Sequence, residues 1–169
     1  EKQIIISTRF IDRDVIAYYR EDSAVEVYLL FIRQGGMVGN QSFCFRHVAL
    51  EDNEVIASLL TQYYGNGKFI PDEIILPLRL ENQETIGEWL SEKKGRKGEL
   101  ITPQKGARKD LLRMAGENAQ HMWDNRHSKE EMLTRTQERM RECLQLKKSP
   151  TSIECFDISN LVGNEAVGS

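Results

Sequence analysis

An aspartate stands in the run SIECFDISN, Ser152 to Asn160, among residues that favour a strand. If Ile153 to Ile158 is a strand, alternation puts Ile153, Cys155 and Asp157 on one face. A buried, unpaired carboxylate costs several kcal/mol, so such an aspartate caps a strand end or turn, meets a cation, or does chemistry. A second constellation is TPQKGARKD, Thr102 to Asp110. Gly106 permits close approach, and a helix beginning near Ala107 offers unpaired backbone N–H groups and a positive dipole end. Lys105, Arg108 and Lys109 add charge, and together these make a phosphate cradle. Such contacts would position nucleic acid without reading its sequence. The bland alternative is a solvated helix start.

The cradle lies within a basic stretch. From Glu92 to Arg113, eight basic side chains face three acidic ones, a local net of +5 that leaves −8 on the remainder of a chain whose total is −3. That total excludes a uniformly basic nucleic-acid binder but not a local patch. The turn Gly95-Arg96-Lys97-Gly98 would extend the track. Hydrophobic content of 40% and charged content of 29% fit a globular protein. The longest apolar runs, such as Val27 to Ile32, are too short to cross a bilayer, and a cytoplasmic address is the default expectation. Cys44, Cys143 and Cys155 form no CxxC pair and read as reduced, buried or half-buried thiols. His47, His121 and His127 lack zinc-ligand spacing.

The elements that must position these residues follow from periodicity. Residues 1–11 read as the tail of a preceding segment, and Glu1 suggests an excised fragment. Three β-rich runs, DVIAYYRED, AVEVYLLFIRQGG and MVGNQSFCFRHV, predict an antiparallel meander, with Gly35-Gly36 supplying the positive φ of the second turn. Val55, Ile56, Leu59, Leu60 and Tyr63 predict a helix capped by Asp52 or Asn53 and ended near Gly65. PDEIILP predicts a short buried strand, and NQETIGEWLSEKKG a helix capped by Asn82 with Ile86, Trp89 and Leu90 inward. GELITP predicts another strand. Beyond Pro103 a stripe of Leu111, Leu112, Ala115, Ala119 and Met122 leads to a second of Met132, Met140, Cys143 and Leu144. A Ser128/Glu131 capping box leaves open one helix or two, before Ser149-Pro150 breaks the pattern. Trp89, Trp123 and the methionines at 114, 122, 132 and 140 read as core, and His47 beside Arg46 as structural. The order predicts a ribonuclease H-like α/β fold, a mixed sheet of three antiparallel strands followed by alternating helices and strands, with a long C-terminal helical segment.

IECFDISNLVGNEAVGS, Ile153 to Ser169, resembles the opening of the incision domain of the UvrC family of bacterial nucleotide excision repair. DVIAYYRED, IPDEIILP and TPQKGARKDLLRMAGENA resemble the region between that family's UvrB-binding helices and its incision domain. The likeness covers nearly the whole chain. It implies a tail over 1–11, a non-catalytic ribonuclease H-like domain over 12–148, and the first strand and turn of a 5′-incision endonuclease domain over 149–169. It makes Asp157 a catalytic carboxylate and a ligand of Mg²⁺ or Mn²⁺, which would neutralise charge developing on a scissile phosphodiester. It implies UvrB and damaged double-stranded DNA as partners, and it strengthens the reading of Lys105, Gly106, Arg108 and Lys109 as the DNA contact.

Asn160 stands where the family usually has His, and the family's further ligands, an Asp and a His, lie beyond Ser169. The 169 residues are therefore expected to be inactive as a nuclease. In the 12–148 domain the resemblance places Tyr18 where Asp157 stands in the next copy, while Asp12 and Asp14 read as cap or turn carboxylates. The rival expectation is a protein-binding scaffold that never touches DNA.

Overall fold

The computed structural model describes residues 11–155, 158–161 and 165–168. The chain divides into two compact units, residues 1–125 and 126–169. In the first, β1 (Arg13–Glu21), β2 (Ala24–Arg33) and β3 (Gly36–Phe45) form the expected meander. Then come α1 (Asp52–Gly65), β4 (Glu73–Ile75), α2 (Gln83–Lys94), β5 (Glu99–Ile101) and the start of α3 (Ala107–Cys143). Sheet order is β3-β2-β1-β4-β5. The meander pairs are antiparallel, and β1–β4 and β4–β5 are parallel.

Over β1, β2 and β4 both faces of this sheet are covered, so these strands alternate between two apolar layers instead of between core and water. Ile16, Val25, Val27, Leu29 and Ile74 pack with α1 and α2 through Ile56, Leu60, Tyr64, Ile86 and Leu90. Val15, Ala17, Tyr28, Leu30, Ile32 and Ile75 form the opposite layer with Leu111, Leu112, Ala115 and Ala119 of α3. The alternation sets which face each polar residue of β1 and β4 must take. Asp14 shares its face with Ile16, towards α1, whereas Arg13 and Glu73 share theirs with Val15 and Ile75, towards α3.

Local expectations shift in several places. The second hairpin has left-handed residues at Gln34 (φ 49°) and Gly35 (φ 77°), one position earlier than Gly35-Gly36, because Arg33 pairs with Gly36 and leaves a two-residue loop. The cap of α1 is Glu51, whose N–H donates to Glu54 Oε2 at 3.0 Å in a capping box. Asp52 is engaged elsewhere, and the fully buried tyrosine is Tyr64, with Tyr63 only half-buried. Trp89 is likewise half-buried beside the buried Ile86 and Leu90.

In the second unit α3 continues through Ser128 without a break, so the Ser128/Glu131 box does not divide it. Glu131 instead meets His127 (3.6 Å) and Arg135 (3.8 Å) at i,i+4 spacing. Met132 is 71% exposed, so it is not core. The helix ends before Ser149-Pro150. Gln145 adopts φ 51°, with Leu146 N donating to Arg141 O (2.9 Å) and Gln145 N to Glu142 O (3.2 Å), a Schellman turn. No disulfide forms among the described residues, and Cys143 and Cys155 are exposed while Cys44 is half-buried. Thr151 to Cys155 form no strand, and Ile153 is 70% exposed. The strand in this region is β6 (Ile158–Leu161), paired antiparallel with β7 (Glu165–Gly168). A strand needs a hydrogen-bonded neighbour, and Ile153 to Cys155 have none among the described residues.

Candidate nucleic-acid interface

The start of α3 has the backbone the cradle requires. Gly106 is left-handed (φ 78°), a conformation other residues adopt only with strain, and its carbonyl accepts Lys109 N (2.8 Å) and Asp110 N (3.2 Å). That leaves the first-turn N–H groups of Ala107 and Arg108 without intrahelical acceptors, beside Lys105 and Lys109, both exposed. Lys109 and Arg113 also line an open groove of about 350 Å³ with Gly116 and Pro77.

Arg108 belongs to a different arrangement. Its Nη2 donates to Glu73 Oε1 (2.6 Å) and its Nε to Glu73 Oε2 (3.1 Å), while Arg13 Nε donates to the same Oε2 at 2.7 Å. Glu73 thus links β1, β4 and the helix start. Burial works to raise its pKa, but the bonds from Arg108 and Arg13 outweigh it and hold the carboxyl below the ordinary value of 4.5. The bond to Glu73 in turn raises Arg108 above its ordinary value. The forked contact of Arg108 is therefore spent inside the protein, and the cations left facing outward at the cradle are Lys105 and Lys109.

Much of the wider patch is also internally matched. Lys94 Nζ and Arg96 Nη2 both reach Asp72 Oδ1, at 2.7 and 2.8 Å, and Arg113 pairs with Glu117 at 2.7 Å. Lys97, in the Gly95–Gly98 turn, is 84% exposed and only 3.9 Å from Glu99.

Asp14 is not a turn carboxylate. It is fully buried on β1, Tyr64 Oη donates to its Oδ2 at 2.6 Å, and Arg33 Nη1 stands 2.7 Å from its Oδ1. That Nη1 directs its hydrogen bonds to the carbonyls of Arg13 and Ile32, both at 2.9 Å, so Oδ1 receives charge but no directed proton. Burial is the dominant influence and pushes Asp14 above 3.8 despite Tyr64 and Arg33. Tyr18, at the centre of β1, donates to Asp52 Oδ2 at 2.6 Å; burial, then that bond, raises its phenol to about 12. His47 is exposed at the end of β3 with φ 57°. Trp123 is half-buried, its Nε1 donating to Glu21 Oε2 at 2.6 Å.

Arg33 supplies a pH-dependent test. Arg33→Met is expected to destabilise the chain by about 2–4 kcal/mol at neutral pH, because a buried carboxylate loses its counter-charge. In the variant the folded-state pKa of Asp14 rises further above its unfolded value, so the penalty is relieved as pH falls through that folded pKa. Urea unfolding at neutral pH and in mild acid checks this. An equal loss at both would mean that Arg33 acts through packing alone.

Asp157 lies outside the described residues. Among the described residues no three His, Cys, Asp or Glu side chains converge to hold a metal ion. Asp14 and Glu73 are turned onto Tyr64 and the arginines, so the described part of the chain does not fit Mg²⁺ or Mn²⁺. Among those residues no helix is long and apolar enough to cross a membrane. Sequence reading missed Glu73, though the adjacent carboxylates Asp72 and Glu73 at the head of the apolar run PDEIILP signal partner cations.

A mixed five-stranded sheet in the order β3-β2-β1-β4-β5 with helices on both faces is the arrangement of a ribonuclease H-like α/β domain. Comparison with known proteins agrees. Residues 12–126 match the UvrC Ribonuclease H-like domain, and residues 141–169 the UvrC RNAse H endonuclease domain. The chain belongs to the UvrC family. It is similar along its whole length to "UvrABC system protein C" of Desulfatibacillum aliphaticivorans (40% identity over 169 residues) and of Geobacter metallireducens (37% over 169 residues). It spans 28% and 27% of those two proteins. A solved structure from Bacteroides thetaiotaomicron, with an actin-like ATPase fold and unknown function, overlays 62% of this chain and 38% of its own. Its 16% identity and TM-score of 0.33 make that likeness too loose to add to the family match.

Proposed function

We propose that this chain is the part of a UvrC-type excision-repair endonuclease that holds damaged double-stranded DNA in place, and that it cuts nothing by itself. In this reading a tail occupies 1–11, a positioning domain 12–148, and the opening of the 5′-incision domain 149–169, with Asp157 as a catalytic carboxylate and Mg²⁺ or Mn²⁺ ligand of the intact enzyme. UvrB is the partner that presents the lesion. The observation that carries the positioning role is the start of α3, where the left-handed Gly106, exposed Lys105 and Lys109, and first-turn N–H groups meet at one helix end. The non-catalytic role is supported by two of the buried sheet carboxylates: Asp14 is enclosed by Tyr64 and Arg33, and Glu73 is bound by two arginines.

One observation favours the scaffold reading, in which the domain braces the incision domain against UvrB without DNA. Arg108, Arg113, Lys94 and Arg96 all meet carboxylates of this chain, so the patch is less open than its sequence suggests. Reversing Lys105 and Lys109 to Glu separates the readings. DNA affinity is expected to fall about tenfold or more at low salt, with a salt dependence shallower by about 2 in log–log slope, roughly one unit for each phosphate that a lysine no longer neutralises. Unchanged affinity and slope, read by fluorescence anisotropy with a lesion-bearing duplex, would support the scaffold.

A further inference from the structure

On the sheet face opposite α3, the loop between α1 and β4 meets the end of α2 in an open groove of about 350 Å³, lined by Gly67, Lys68, Phe69, Lys93, Lys94 and Arg96. We propose that this groove binds an unpaired stretch of nucleic acid, phosphates on the lysines and a base on Phe69. The site is separate from the start of α3 and does not depend on what that helix end does.

The charge is one-sided. The groove brings four cations together, and the carboxylate that touches any of them among the described residues is Asp72, shared by Lys94 (2.7 Å) and Arg96 (2.8 Å). Lys94 is thereby buried and neutralised, its side chain 6% exposed. Lys68, Lys93 and Arg96 remain exposed, and neither Lys68 nor Lys93 is matched to a carboxylate among the described residues. Lys93 is also held in place: its Nζ donates to Gly65 O at 2.8 Å and lies 5.6 Å from the centroid of the Trp89 ring. Its ammonium is fixed at the rim of the groove before any ligand arrives, which lowers the ordering cost of a phosphate contact.

Phe69 gives the ligand its class. Its neighbour Ile70 is buried, yet Phe69 is 55% exposed among these cations, where an apolar ring gains nothing from the core. Arg33, whose guanidinium carbon lies 4.6 Å from the ring centroid, anchors it, and the same Arg33 is tied to β1 through the Arg13 carbonyl. A basic groove beside a fixed, exposed aromatic ring is the pattern of single-strand binding, in which bases stack and the backbone follows the charge. Duplex DNA hides its base faces and could use the lysines but not the ring. An acidic peptide could likewise use the lysines alone. The volume lies near the low end of ligand pockets, which run about 300–1,000 Å³, and suits one nucleotide at a time along an open track.

The test is fluorescence anisotropy on the 169-residue chain with labelled oligodeoxythymidine, a duplex of equal length and a polyglutamate peptide. Phe69→Ala is expected to weaken the single strand about tenfold and change duplex binding less than about twofold. Phe69→Trp is expected to keep the affinity and to show tryptophan quenching on binding. Lys68→Glu with Lys93→Glu is expected to weaken the single strand at least about tenfold and to flatten its salt slope by about 1.4, two single-strand phosphate contacts. Thermal melts confirm that each variant is folded; should Phe69→Ala not fold, Phe69→Trp quenching decides. Single-strand affinity indifferent to Phe69→Ala, absence of quenching in Phe69→Trp, or polyglutamate binding as tight as the oligonucleotide would each overturn the proposal, the last in favour of an acidic protein partner.

Discussion

Glu73→Ala is expected to cost about 3–5 kcal/mol of folding stability, the range for breaking a buried ion pair from one side. The carboxylate and Arg13 are nearly enclosed, with side chains 7% and 6% exposed, and Arg13 Nη1 has no hydrogen-bond partner among the described residues. Removing Glu73 leaves the Arg13 guanidinium buried without any counter-charge. Arg108, 44% exposed, can turn to water, so the loss is concentrated on Arg13. Against a typical total of about 5–15 kcal/mol, that is enough to bring the domain close to unfolding at physiological temperature.

Urea unfolding checks the loss, and the double variant Arg13→Met with Glu73→Leu is expected to recover most of it, because apolar replacements remove the desolvation cost together with the attraction. The pH dependence has a definite sign. The folded-state pKa of Glu73 lies below its unfolded value of 4.5, so its contribution is present above that value and is lost as pH falls through the folded pKa. The variant should lack that part of the acid destabilisation. A cost under about 1 kcal/mol would mean that Arg13 finds another partner when Glu73 is gone.

Glu73 also marks where the sequence stops being readable. The order of elements along the chain, both helices of the α1/α2 layer and the inward stripe of α3 follow from periodicity, because a period of 2 or 3.6 is written in neighbouring residues. The pairs that decide the candidate site join residues far apart: Arg13 and Glu73 are separated by 60 positions, Arg108 and Glu73 by 35, and Tyr64 and Asp14 by 50. No local pattern encodes such pairs. Arg108 therefore reads in sequence as an anion-binding side chain and is in the structure a clamp on β4. Asp14 reads as a turn residue from its place at a strand start, whereas pairing Asp14 with Phe31 carries the strand one residue further back and puts that carboxylate inside the sheet. The choice of Tyr64 over Tyr63 has the same origin, since only one of two adjacent ring positions can meet Asp14.

The larger expected effect is on activity. Asp157→Ala in the intact protein, supplied with UvrB and a lesion-bearing duplex, is expected to lower the rate of 5′ incision by at least about 100-fold, the scale on which losing one group aimed at developing charge acts. Binding of the damaged duplex should be nearly unchanged, because on the proposed reading affinity comes from Lys105, Lys109 and their neighbours and not from the incision centre. The Lys105/Lys109 reversal should do the opposite: it weakens binding, and incision recovers when DNA is raised to saturation. The two variants thus divide one activity into a rate at saturation and an affinity, and each must move its own parameter alone. Incision by Asp157→Ala at the normal rate would remove Asp157 from the reaction and leave the family match without a catalytic residue in this chain. If the lysine reversal lowered the rate at saturation instead of the affinity, the 12–148 domain would be bracing the incision centre and not holding DNA, and the scaffold reading would replace the one proposed.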